Sequence, residues 1–134
     1  MTKVKKDNCI FCKKDKKKFV YSTDLFFVVR DGYPVTKYHT LIIPYRHVAN
    51  YFDLNNKELN DLNKILKKQQ KSILDLDKSI KGFNIGINAG IVAGQTIMHC
   101  HIHLIPRREG DVENPQGGVR GVIPSKQHYI RKNK

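Results

Sequence analysis

Apolar residues change their period along the chain, and each change marks an element. Residues 19 to 30, FVYSTDLFFVVR, are rich in Val, Phe and Tyr and predict a hairpin pair of short strands. After a turn at Asp31-Gly32-Tyr33-Pro34, the run His39-Thr40-Leu41-Ile42-Ile43 predicts another buried strand, stopped by Pro44. From Asn55 or Asn56, Leu59, Leu62, Leu66, Ile73, Leu76 and Ile80 recur at three- and four-residue steps with lysines between them, the pattern of a long amphipathic helix. Residues 82–88 then predict a strand running into the flexible stretch Ala89-Gly90-Ile91-Val92-Ala93-Gly94, and Met98 to Ile105 a further strand ended by Pro106. The last 25 residues show no strong period. Strands grouped around a helix with short connections indicate an α+β domain with a mostly antiparallel sheet, one face covered by the helix.

Length narrows this to one packed domain: 134 residues with 40% hydrophobic positions suffice for one core and not comfortably for two. No internal repeat or linker divides the chain, and no apolar run approaches a membrane span or a secretory leader, so a cytoplasmic protein is expected. Three cysteines, Cys9, Cys12 and Cys100, are too few and too unevenly placed for a disulfide framework, which fits a reducing compartment. The formal net charge of +13 points to an anionic partner without choosing it. Eight of the lysines fall in the first eighteen residues and read as a solvated face. Aromatic residues are not interleaved with them, so nucleic acid is a minority expectation.

Chemistry concentrates in His99-Cys100-His101-Ile102-His103-Leu104-Ile105. On an extended strand His99, His101 and His103 project to one face while Cys100, Ile102 and Leu104 face the other. Successive histidine Cβ atoms would stand roughly 6.5 to 7 Å apart, close enough for one phosphate to touch two imidazoles. Three histidines so placed are hard to explain as core filling, although a His-x-His pair can also bind zinc or iron. Gly94-Gln95-Thr96 just upstream offers a turn that can approach phosphate oxygens closely. A second cluster, Cys9-Ile10-Phe11-Cys12, has a spacing shared by zinc sites and redox motifs. Its polar, lysine-flanked setting does not suit a redox pair that must follow a strand and open a helix.

The stretch from Gly94 to Arg107, GQTIMHCHIHLIPR, closely resembles the signature of the histidine-triad family. Weaker similarity extends from Cys9 to Arg107 and into GGVRGVIP at residues 117–124, which resembles the tail of prokaryotic diadenosine-tetraphosphate-hydrolase-like members. The resemblance implies a domain over residues 1–110 with an associated tail over 111–134. It also implies a five-stranded, mostly antiparallel sheet with one long helix and a short helix, and a homodimer.

It further implies that His101 is the nucleophile, attacking an α-phosphorus to form a transient nucleotidyl-histidine. The imidazole suits the task because it is nucleophilic when neutral and its bond to phosphorus is labile. By the same resemblance the backbone near His99 orients His101, and His103 and Gln95 bind or polarise phosphate oxygens and leaving group. His39 stands beside the triad, Asp31 meets ribose hydroxyls, Asn88 and Thr96 meet phosphate, and Ile10, Phe11 and Val29 line the base pocket. Gly32 stands where relatives often carry a larger apolar residue. In a zinc-bearing subset of the family and in the related galactose-1-phosphate uridylyltransferases, two cysteines join two histidines around a structural metal. The matching residues here are Cys9, Cys12, His47 and His99, which implies zinc and no organic cofactor.

The leading expectation is hydrolysis at the α-phosphate of a dinucleoside polyphosphate or a nucleoside phosphoramidate. A regulatory protein binding AMP or GMP with little turnover shares the same motif, and a lysine-driven nucleic-acid module is the third possibility.

Overall fold

Strand pairing begins at a short turn built by one side chain. The Thr23 hydroxyl accepts the amides of Leu25 and Phe26 and donates to Asp61 at 2.6 Å, folding strand β1 (Tyr21–Ser22) back on β2 (Phe26–Arg30). The computed structural model describes residues 8–13 and 15–132. In it β2 pairs with β3 (Thr40–Pro44), helix α1 spans Asn56–Leu76, and β4 (Ile80–Gly86) and β5 (Ile102–Arg108) complete one antiparallel sheet in the order β1-β2-β3-β5-β4.

The near-continuous apolar runs of β2 and β3 follow from burial on both faces. Phe26, Val28 and Ile42 face Leu62 and Ile65 of α1, together with Ile102 of β5. Phe27, Val29, Leu41 and Ile43 face the other way, where Phe11 and the half-buried Phe19, Tyr45 and Ile97 cover them. The segment around the two amino-terminal cysteines thus forms part of the lid on the second face.

The amino end of α1 is anchored with unusual completeness. Asn55 and Glu58 form a reciprocal capping box, each side chain accepting the other's amide at 2.9 Å. Glu58 is only 2% exposed, and Arg46 donates to both its oxygens, at 2.7 and 3.1 Å. Burial pushes the Glu58 carboxyl upward, but the bonds from Arg46 and Asn55 prevail and hold it below its ordinary value. Because Arg46 precedes His47, this pair ties the helix to the loop bearing a candidate metal ligand.

Several boundaries differ from the sequence reading. Ile80, expected to extend the helix, opens β4. Asp77 ends the helical stretch by accepting the amide and hydroxyl of Ser79, and Ile80 packs on Ile73 and Leu104. The strand expected over 82–88 therefore runs two residues earlier. The strand expected from Met98 starts instead at Ile102, because the Cys100 amide donates to the Val48 carbonyl in the neighbouring loop. β3 ends at Pro44, which it includes as its last residue, whereas β5 runs on through Pro106 to Arg108. Pro44 pairs with Phe26 and Pro106 with Phe83, each at a point where the β3·β5 ladder, running from Ile42↔Ile102 to Thr40↔Leu104, does not extend. A proline is tolerated there because it faces a strand on one side only. Among the described residues α1 is the sole α-helix, and the short helix appears as a 3-10 turn over Tyr51–Asp53.

Glu58 and Asp77 both have carboxyls lowered by folding, Asp77 to about 2 through its bonds from Ser79 and then Arg108. Their stabilisation is present above the unfolded values of 4.5 and 3.8 and is lost as pH falls through the folded ones. Melting temperature should therefore fall progressively below about pH 4.5, and Asp77→Asn should flatten that decline. Glu58→Ala, which strands Arg46 and the Asn55 amide, should cost about 2 kcal/mol in urea denaturation at neutral pH.

Candidate functional site

Four side chains from three separate stretches converge where the amino-terminal segment crosses the sheet. Cys9, Cys12, His47 and His99 each offer one ligand atom, all within 4.8 Å of one another. The His99 Nδ1 lies 3.3 Å from the Cys9 sulfur, 3.6 Å from that of Cys12 and 3.1 Å from His47 Nδ1, and the Cys12 sulfur lies 3.2 Å from His47 Nδ1. These separations are those between corners of a tetrahedron around an ion bonded at roughly 2.0 to 2.3 Å.

The tautomer of His99 agrees. Its Nε2 donates to the Pro44 carbonyl at 2.8 Å, so the unprotonated nitrogen is Nδ1, the one aimed at the thiols. Burial brings the His99 ring down to about 4, against the opposing effect of the Pro44 bond, so it is neutral at ordinary pH, as a ligand must be. The donor set fits a closed metal centre and leaves no position open for substrate.

The expectation that three rings share one face is met by two of them. The His101 and His103 rings lie 5.2 Å apart and both line a cleft of about 350 Å³, whereas the His99 ring is wholly buried in the ligand cluster, 4.8 Å from that of His47. Through its main chain, however, His99 reaches the cleft. Its carbonyl accepts from His101 Nδ1 at 2.8 Å, which places a proton on Nδ1 and, in the neutral ring, leaves Nε2 on the opposite edge as the basic nitrogen. Phe11 packs edge-on against both rings, 5.8 Å from His99 and 5.1 Å from His101.

A second chain of contacts sets the third histidine. The Val35 amide donates to His39 Nδ1 at 3.0 Å, so His39 carries its proton on Nε2, which lies 2.9 Å from His103 Nδ1 and 3.4 Å from an Asp31 oxygen. His103 accepts through Nδ1 and is left with its own proton on Nε2. Burial, helped by the neighbouring His101 and His39, lowers His103 to about 4, and burial lowers His39 also, against the pull of Asp31. Asp31, His39 and His103 could themselves surround a cation. The proton that Val35 forces onto His39 Nε2 favours a hydrogen-bonded chain instead.

Of the other residues singled out in the sequence, Ile10, Phe11, Asp31, Asn88 and Thr96 line the cleft. His39 stands behind its wall. Val29 is 1% exposed and sits in the core with Phe27 and Ile43, so it backs the cleft without lining it. Gln95 is buried with both ends of its amide on the main chain. It accepts from Gly90 and donates to the carbonyls of Ala49 and Ile97, pinning the loop whose Gly90 and Gly94 both adopt φ of +102°. The turn residue Gly94 lines the cleft too, whereas the sequence reading gave no site role to Tyr33, Leu41 or Ile97, which line it as well. The aromatic in the Asp31–Pro34 turn was the available signal for Tyr33.

Cys100 points away from all of this. It is 1% exposed in the core beside α1, and burial, with the negative Glu58 and Asp53 in the background, pushes its thiol up to about 12.

A family model described as HIT domain matches residues 13–110. The chain belongs to the HIT family. An uncharacterized HIT-like protein of Methanocaldococcus jannaschii is 38% identical over 109 residues, spanning 78% of this chain and 83% of that protein. The asymmetrical bis(5'-nucleosyl)-tetraphosphatase of Schizosaccharomyces pombe is 38% identical over 91 residues, spanning 68% of this chain and 50% of its own. The crystal structure of a Zn-bound histidine triad family protein from Mycobacterium smegmatis matches with a TM-score of 0.70 at 30% identity, covering 78% of each chain. In this HIT chain the cysteines and histidines that could hold a metal lie against the triad itself.

Elemental analysis of the protein purified without chelator is expected to give one metal ion per chain. Cys12→Ser should abolish it, and cobalt exchanged into the wild type should show the visible bands of tetrahedral thiolate coordination. Stripping the ion should lower the melting temperature measurably.

Proposed function

We propose that this HIT protein transfers the nucleotidyl group of a dinucleoside polyphosphate, or of a nucleoside phosphoramidate, first to His101 and then to water. The observation that carries the reading is the orientation of His101: fixed by the His99 carbonyl, the ring offers an unprotonated Nε2 to a cleft of ligand size. The tetraphosphatase among the relatives lends support for a phosphoanhydride substrate.

In the first step the Nε2 lone pair attacks the α-phosphorus. The bond from phosphorus to the leaving oxygen or nitrogen breaks, and its electron pair goes with the leaving group, which in the case of nitrogen takes up a proton from solvent and departs as the amine. In the second step water attacks the same phosphorus, the phosphorus-nitrogen bond breaks, its electron pair returns to Nε2, and the water proton passes to solvent. Two displacements replace one difficult one. His103, with its proton on Nε2, donates to phosphate oxygens as negative charge builds there. His39 is a positioning residue that acts through His103. Asn88 and Thr96 contact phosphate, Asp31 meets the ribose hydroxyls, and Ile10 and Phe11 flank the base. Gln95 serves through the loop it pins, and Val29 through the wall it backs.

We assign zinc to the cluster of Cys9, Cys12, His47 and His99, in a structural role. With four ligands from the protein it takes no part in bond making. The positive field of the chain raises the local concentration of the polyanionic substrate.

Incubation with diadenosine tetraphosphate or adenosine phosphoramidate should release AMP. His101→Ala should reduce kcat roughly 10⁴-fold or more while AMP still binds. Absence of AMP release from either compound, with AMP binding intact, would leave a binding protein and refute hydrolysis. His39→Ala should lower kcat roughly 10²-fold with little change in KM. By nitrogen-resolved NMR, His103 of the wild type should titrate near 4, with its proton on Nε2 above that pH.

A further inference from the structure

The turn that follows Asp31 along the cleft combines an open space with a free aromatic ring. Gly32 and Tyr33 both line the cleft. A side chain built on Gly32 would meet nothing within 4 Å, so the wall has a gap at that point. Tyr33 is 93% exposed, and its amide, held by Asp31 at 2.8 Å, makes its only hydrogen bond among the described residues. The ring itself has no partner there. The main chain is therefore fixed while the aromatic surface is free.

From these observations we infer that Tyr33 is the stacking platform for a purine base, admitted through the gap at Gly32. The inference rests on the nucleotide reading of the cleft. The same Asp31 that would hold the ribose holds the Tyr33 amide, so a base attached to that ribose lies beside the next two residues of the chain. Phe11 cannot offer a comparable face, being 4% exposed and engaged edge-on with His99 and His101. Of the other apolar lining residues, Leu41 is 6% exposed, and the exposed Ile10 and half-buried Ile97 are aliphatic and offer no flat ring face. A Tyr ring gives a large rigid surface with few torsions to immobilise, and a purine covers more of it than a pyrimidine.

Calorimetric titration of the full chain with AMP, CMP and ribose 5-phosphate separates the base from the rest of the ligand. Wild type should bind AMP more tightly than CMP, and both more tightly than ribose 5-phosphate. Tyr33→Ala should weaken AMP about tenfold, toward the low end of base stacking on an aromatic residue, and leave ribose 5-phosphate unchanged. Tyr33→Phe should stay within about twofold of wild type, because stacking does not use the hydroxyl. Gly32→Ile, which closes the gap without backbone strain, should weaken AMP and spare ribose 5-phosphate. Loss of AMP and ribose 5-phosphate alike in Tyr33→Ala, or of neither, would overturn the inference. Equal binding of AMP and ribose 5-phosphate by wild type would overturn it too, while keeping the phosphate-and-ribose cleft. Binding of none of the three would instead sink the nucleotide reading itself.

Discussion

Both ends of His99 are held, and the candidate site depends on that. Its ring lies among two thiols and a second imidazole, with its remaining nitrogen on the Pro44 carbonyl, while its own carbonyl fixes the His101 ring. The sheet cannot do this alone, because β5 begins at Ile102 and its ladder bonds start only after the nucleophile candidate. What orients His101 is a loop stapled from the side. Phe11, lying between the two cysteines in sequence and against both histidine rings in space, fills the room in which those rings could otherwise turn. A metal at the cluster would thus stiffen the cleft without touching substrate.

The site also separates charge from chemistry. A chain of net charge +13 keeps two of its inner imidazoles, His99 and His103, neutral through burial above all. The excess positive charge lies on exposed side chains such as Lys57, Lys64, Lys67 and Lys71, where it acts at a distance. Protonated histidines in the cleft would attract a phosphate equally well, but they would have no lone pair to offer it. One hydrogen bond from a main-chain amide, Val35 to His39, is enough to set the proton positions on two rings in succession.

How much of this the sequence disclosed depended on the distance between partners. The helix was legible because its apolar residues repeat within one element. The triad and the Cys-x-x-Cys pair were legible because their ligands lie within a few residues and match a known signature. The strand limit expected at Pro106 was misjudged while that at Pro44 was not, since whether a proline ends a strand depends on which neighbour still runs beside it. Pattern could not separate Val29 from Phe11: both are apolar and buried on the same side of the sheet, and only the fold decides which meets the cleft. The Arg46–Glu58 pair and the main-chain bonds of Gln95 depend on partners brought close by loops that carry no period. Tyr33 was masked by its setting, because a turn sequence accounts for an aromatic without indicating that its ring is unpartnered.

Cys100 sits one residue from a candidate ligand and one from the nucleophile candidate, yet belongs to neither. With its thiol pushed up to about 12 and its side chain under α1, it has almost no thiolate at ordinary pH. A chain with three sulfhydryls therefore behaves, toward electrophiles and oxidants, as one with a single vicinal pair. Any disulfide it formed in the folded state would be the intraloop one between Cys9 and Cys12, so an oxidative insult would be felt first at the cross-link over the sheet while the core stayed sealed.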